Sequence, residues 1–204
     1  MLSRLQRGDT LIEVLFAVTV FSMVIVGALT LMNQGTAAAQ RSLEITLVRQ
    51  QIDSQADTLR FMHDAYVAAY RPGISFNLKD GPTSPAEEWY RMAQSKSIVK
   101  TPENIDTSAS SCEAAPSKSF VVNPRTAGFT DATQQKQPSK SFSQLLYQRD
   151  GTFVAEGLWI QGVRSDYSVD HVGYIDFHIR ACWDSPGAGA PMRSGTIGRL
   201  YEPR

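Results

Sequence analysis

Between Leu11 and Met32 the chain carries a single charged side chain, Glu13, in an otherwise almost wholly apolar run. At about 1.5 Å per residue, a helix through this run is about 33 Å long, close to the ~30 Å hydrocarbon thickness of a bilayer. The remainder of the 204 residues reads as a polar-surfaced domain rich in Ser, Gln, Pro and Gly. The length therefore accommodates one ordinary globular domain plus a separate hydrophobic segment. A buried core helix can be equally apolar, but it does not normally stand at the extreme N-terminus behind a short basic leader.

Arg4 and Arg7 precede the run, so the excess of positive charge predicts a cytoplasmic N-terminus and a translocated C-terminal bulk. Total charge adds nothing: Lys+Arg and Asp+Glu stand at 20 each, which gives no reason to expect nucleic acid or an acidic substrate. In a disulfide-permissive setting outside the cytoplasm, Cys112 and Cys182 are an even pair and a candidate disulfide, with free thiols as the alternative. Closing a loop of that size contributes ~4 kcal/mol in the chain-entropy account where geometry permits.

In Arg7-Gly8-Asp9-Thr10-Leu11-Ile12-Glu13-Val14 a basic leader ends at a glycine and a lone carboxylate lies just inside the apolar run. This resembles the prepilin cleavage motif of type IV pilins. The resemblance implies that a membrane aspartyl peptidase cuts between Gly8 and Asp9, that the same enzyme N-methylates Asp9, and that Glu13 is the family's hallmark acid. A glutamate in a spanning helix costs on the order of 2.5–3.5 kcal/mol at mid-helix and less towards an end. Cleavage would create a partner, because the new α-ammonium lies one turn away and, in a staggered assembly, reaches the Glu13 carboxylate of a neighbour. The pairing cancels two costly charges and sets the axial register. The bland alternative is that Glu13 snorkels to the membrane surface.

The chain departs from the family in two places. Asp9 stands where Phe or Met is usual, and its carboxylate competes with Glu13 for the amine. The frequent proline of the family's apolar segment is missing, which leaves Gly27 and Ser22 as the candidates for local softening. Ala37-Ala38-Ala39 is a rival, since small residues after a basic start and an apolar stretch suit a signal peptidase. The apolar run is longer than the ~7–15 residues of a secretory h-region and leads into an amphipathic pattern. Pilin processing, secretion and an uncut anchor predict mature N-termini at Asp9, Gln40 and Met1 respectively.

From Thr36 to Tyr70 there is no proline, and Ile45, Val48, Ile52, Ala56, Leu59, Met62 and Tyr66 recur at helical spacing. Arg49/Asp53 and Arg60/Asp64 lie four apart on the other side, and Arg71-Pro72-Gly73 stops the pattern. The sequence thus predicts a helix of about sixty residues, about 90 Å if continuous. A short helix is expected over Pro85–Lys96, capped by Ser84 and favoured by Glu87 and Glu88. Strands are expected over Ser119–Asn123, Ser143–Gln148, Phe153–Arg164, His171–Trp183 and Gly195–Tyr201, with a hairpin turn at Arg149-Asp150-Gly151. Pro124 to Lys140 reads as a loop, with too little charge pattern for DNA binding.

Asp176, His178 and Cys182 share an expected strand face and invite a catalytic reading. Residues four apart on a strand are ~13 Å from one another, beyond hydrogen-bond reach, so these side chains are read as a polar face turned to water and no catalytic residue is assigned. No zinc-ligand, P-loop or nucleophile-elbow spacing occurs, and no metal or cofactor is expected. Asp150, Asp166, Asp170 and Asp184 near strand ends offer calcium oxygens but form no ligand-loop pattern.

These readings divide the chain into a leader (1–8), a transmembrane and polymerisation helix (9–32), an amphipathic helix entering the domain (33–71), and an extracytoplasmic domain (72–204). The fold class expected is α+β: a long N-terminal helix packed on an antiparallel sheet of four or five strands, pilin-like. The function the resemblance implies is a non-enzymatic filament subunit of a type IV pilus, a minor pilin rather than the abundant one. Its partners would be the prepilin peptidase, other pilin subunits and, before assembly, the cytoplasmic membrane. A type II secretion or competence pseudopilin is the near alternative, and a singly anchored surface binding module is the alternative from another class.

Overall fold

The computed structural model describes residues 9–73, 76, 84–95, 98–99, 115, 118–132, 142–149, 151–165 and 173–203. Its first element, α1, runs from Asp9 to Ala69. Gly35 does not interrupt it, and it ends just before Arg71-Pro72-Gly73, with Gly73 at φ 84°. The chain divides into two units, Met1–Ser42 and Leu43–Arg204, the second holding the last seven turns or so of α1.

In that second unit the apolar stripe does what its spacing predicts. Val48, Ile52, Ala56, Leu59 and Met62 are buried, and Ile45 and Tyr66 pack partly buried at either end. Of the expected charge pairs, Arg60 takes a different partner: Nη1 lies 2.9 Å from Asp57, three residues back, while Asp64 lies 3.4 Å from the His63 ring. Three- and four-residue spacings are both neighbours on a helix, so the choice falls to local rotamers. The second helix, α2 (Pro85–Ala93), begins where expected, with Ser84 Oγ accepting from Glu87 N at 3.3 Å and Pro85 in the first turn. It ends three residues before Lys96 and buries Trp89 and Met92.

The strands are β1 (Ile98–Val99), β2 (Phe120–Val122), β3 (Phe129–Asp131), β4 (Gln144–Tyr147), β5 (Phe153–Glu156), β6 (Leu158–Arg164), β7 (Tyr174–Trp183) and β8 (Met192–Tyr201). The main sheet has the order β3-β2-β6-β7-β8, all antiparallel, and β1 adds two residues in parallel to β6. Strands β4 and β5 form a separate hairpin. Its turn contains Gly151 at φ 86°, with Gln148 N bonded to Thr152 O at 2.8 Å. The protein is thus α+β, a long N-terminal helix packed on a five-stranded antiparallel sheet with a two-stranded sheet beside it.

Three expectations need correction. The single strand over Phe153–Arg164 is broken at Gly157, whose φ is 61°. A side chain there would place Cβ 2.1 Å from the Cys182 carbonyl oxygen, so only glycine permits the close crossing. The loop expected over Pro124 to Lys140 contains β3, joined to β2 by a turn in which Asn123 Oδ1 accepts from Arg125 N and Ala127 sits at φ 57°. On β7 the alternation of buried and half-buried residues holds from Tyr174 to Ala181, but Cys182 is buried where the pattern points it to solvent. Its backbone meets the residues flanking the β4–β5 hairpin: Ser143 Oγ donates to Cys182 O at 3.1 Å and Cys182 N to Gly157 O at 2.7 Å.

A buried glutamine joins helix to sheet. Asn123 N bonds Gly128 O and Ala132 N bonds Ser119 O, so the odd-numbered residues of this stretch turn their backbone groups towards β3. Phe120 and Val122 turn theirs the other way, towards β6, yet only Phe120 is paired there, with Ile160. Gln55, fully buried on α1, supplies the missing partner: Nε2 donates to Val122 O at 2.8 Å and Oε1 accepts from Val122 N at 2.9 Å. Gln55→Leu keeps the volume and orphans both backbone groups, so it is expected to lower the unfolding free energy by about 2–5 kcal/mol. Denaturant titration of the full chain in detergent, followed by tryptophan fluorescence, measures it.

Candidate functional site

The first unit presents an unusual surface for a protein in water. Fifteen large apolar side chains between Leu11 and Met32 are each 42–72% exposed. Burial of one such side chain is worth roughly 1.5–3 kcal/mol, so covering this segment with lipid or protein is favourable. By length and composition it belongs to a helix able to cross a membrane.

Its polar groups separate into two kinds. Thr19 Oγ1 donates to Leu15 O, Ser22 Oγ to Val18 O at 2.7 Å and Thr30 Oγ1 to Val26 O at 2.9 Å. Each hydroxyl is satisfied four residues back within the helix, an arrangement that tolerates an apolar surrounding. Glu13 is exposed and makes no hydrogen bond or ion pair with another described residue. Helix continues through Ser22 and Gly27, so neither softens it here, and nothing approaches within 4 Å of a side chain placed at Gly27. Asp9 is the first residue of α1, and Gly8 lies outside the described residues.

On β7, Asp176 holds Arg199 of β8 in a two-point pair, Nε to Oδ1 at 2.7 Å and Nη2 to Oδ2 at 2.8 Å, and the guanidinium lies 4.0 Å over the Tyr174 ring. The hydrogen bond that Arg199 donates to Asp176 raises the arginine's already high pKa further. His178 is next on the same face but two residues along, and burial, then Arg180, lowers its pKa below the ordinary 6.5 against an opposing pull from Asp176. Cys182 is disulfide-bonded, and Cys112 lies outside the described residues. Cys182 therefore offers no free thiol on the strand that bears His178.

Elsewhere, α1 and Pro124 bound an open groove of about 480 Å³ that contains Asp53, Asp57 and Phe61. Asp57 is already engaged by Arg60. Among the described residues no three His, Cys, Asp or Glu side chains gather as a metal set. Asp150, Asp166 and Asp170 lie outside those residues. Sequence reasoning gave no role to His63, whose Nε2 donates to Tyr201 O at 2.7 Å while its ring meets Trp89 edge-on at 5.0 Å. No motif signals such a contact, because its partners lie 138 and 26 positions away in the chain.

Because His178 is harder to protonate in the folded chain, the unfolded state binds more protons below pH 6.5, and stability falls on acidification through that value. The denaturation midpoint is expected to decrease between about pH 7.5 and pH 5.5, and His178→Gln to flatten that slope. Compared with known proteins, the chain matches no family model, no curated protein and no solved structure.

Proposed function

We propose that the chain is a type IV pilin-like filament subunit, a minor pilin, that is cleaved after Gly8, methylated at Asp9 and polymerised through the apolar half of α1. The observation that carries this reading is Glu13: within the Leu11–Met32 surface it is the polar side chain that finds no partner in its own helix, whereas Thr19, Ser22 and Thr30 do. An ionised carboxylate in an apolar setting requires an external cation. The amine that scission creates at Asp9 of a neighbouring subunit is a cation of the right sign and axial offset. Before assembly, lipid covers the segment, with the N-terminus cytoplasmic because of Arg4 and Arg7. After assembly the same segment of other subunits replaces lipid, and no new apolar surface has to be made. The packed α+β unit, with no free thiol on β7, then serves as the outward domain and has no catalytic part in this scheme.

Mass analysis of protein taken from its native envelope is expected to give a chain that begins at Asp9 with one added methyl group. A chain beginning at Gln40 marks a secreted protein and one beginning at Met1 a singly anchored surface module, and either sinks the filament reading. Glu13→Ala is expected to reduce the protein in sheared filaments by at least about tenfold while leaving its membrane level unchanged, since losing an acid eases insertion. Normal filament recovery with Glu13→Ala removes the charge-pairing mechanism.

A further inference from the structure

The β7–β8 ladder leaves one long edge. Glu202 N bonds Gly173 O at 2.8 Å and Tyr201 lies opposite Tyr174, so the even-numbered residues of β8 turn their backbone groups to β7. Arg193, Gly195, Ile197, Arg199 and Tyr201 turn theirs outward. His63 takes the Tyr201 carbonyl. At Arg193, Gly195, Ile197 and Arg199 the outward N–H and C=O groups pair with no other described residue, and all four residues are exposed, Ile197 by 63%. Their spacing is that of a strand, and what complements it is another strand.

From this edge we infer that β8 docks an extended, carboxylate-bearing segment of a different polypeptide, which adds to the sheet beyond β8. The inference rests on the second unit alone and is independent of the membrane reading. Charge selects the partner: among the described residues, the exposed edge of β8 carries Arg193 and Arg199, and the carboxylate facing them from β7 is Asp176. Asp176 and Arg199 satisfy one another, which leaves Arg193, exposed and without an ion pair to another described residue, to meet an incoming carboxylate. A second copy is the poorer occupant. Two β8 strands paired antiparallel about Thr196 would set Arg193 opposite Arg199 twice, and like charges directly opposite destabilise a pair. The arginines therefore discourage self-pairing in that register and favour an acidic strand. Backbone bonding would give affinity, and Arg193, Ile197 and Arg199 would give selectivity.

The probe is a blocked, fluorophore-labelled peptide of about seven residues that alternates Glu and Val, titrated by anisotropy against the full chain in detergent micelles. Saturable binding is expected, at least about tenfold weaker when Lys replaces Glu and when alternate amides are N-methylated in the pairing register. Ile197→Pro removes an outward N–H and leaves the β7 ladder intact, and it is expected to weaken binding about tenfold. Arg193→Glu alters one exposed side chain and is expected to shift the preference towards the Lys peptide; it decides the matter alone if Ile197→Pro fails to fold. Equal affinity for both peptides, full affinity after N-methylation in either register, or no saturable binding overturns the proposal. So does self-association of the full chain that Ile197→Pro abolishes, since that result gives the edge to a second copy.

Discussion

The amphipathic part of α1 is held on its sheet by a buried stripe, and three polar ties fix where that stripe sits. Trp183 Nε1 on β7 donates to Glu44 at 3.2 Å, Val122 on β2 exchanges two bonds with Gln55, and the Tyr201 carbonyl on β8 accepts from His63. At about 100° per residue, positions 44, 55 and 63 fall on the same side of the helix as Val48, Ile52, Leu59 and Met62. Apolar contacts alone tolerate a slide of one turn, because one branched side chain replaces another at little cost. A buried carbonyl or indole N–H left without its partner does not tolerate it. The ties reach three of the five strands of the main path, so the helix and the sheet order constrain one another.

Much of this arrangement is legible in the chain because it is written in local periodicity. The stripe from Ile45 to Tyr66, the Ser84 cap and the alternation of Ile175, Phe177, Ile179 and Ala181 each need only a few neighbouring residues to be read. The elements that escape are those set by distant contact. Gly157 looks like an ordinary glycine until the Cys182 carbonyl crosses 2.1 Å from where its Cβ would lie. Strand β3 is three residues long and follows a turn whose left-handed residue is Ala127, a residue type with no turn signature. Strand β1 exists only through its two-residue pairing with β6. Cys182 is buried against its expected pattern and is disulfide-bonded, a contact that no alternation of residues encodes.

The sheet's two edges are managed differently. At one side β3 is short, which limits what can pair with it. At the other, β8 is ten residues long and keeps four outward positions open, with arginines at both ends of the open stretch. Asp176 and Tyr174 hold Arg199 down on the sheet, so that cation is fixed in place. The His63 contact closes the edge at Tyr201, which ties the limit of the open stretch to the same helix that positions the sheet.

In the apolar segment the distinction between hydroxyls and the carboxylate follows from hydrogen-bonding type. A helical carbonyl keeps a second lone pair after accepting its backbone bond, so Thr19, Ser22 and Thr30, as donors, are served within one turn. An ionised carboxylate accepts only, and the backbone N–H groups in the body of a helix are already committed to carbonyls. Glu13, as an acceptor, therefore cannot be served by a carbonyl one turn back in the way the hydroxyls are. Three polar residues in this segment are compatible with any apolar surrounding, lipid or protein, and carry no information about a partner. The fourth, Glu13, finds no partner among the described residues, and this asymmetry in donor chemistry, besides the length of the apolar run, sets it apart within the segment.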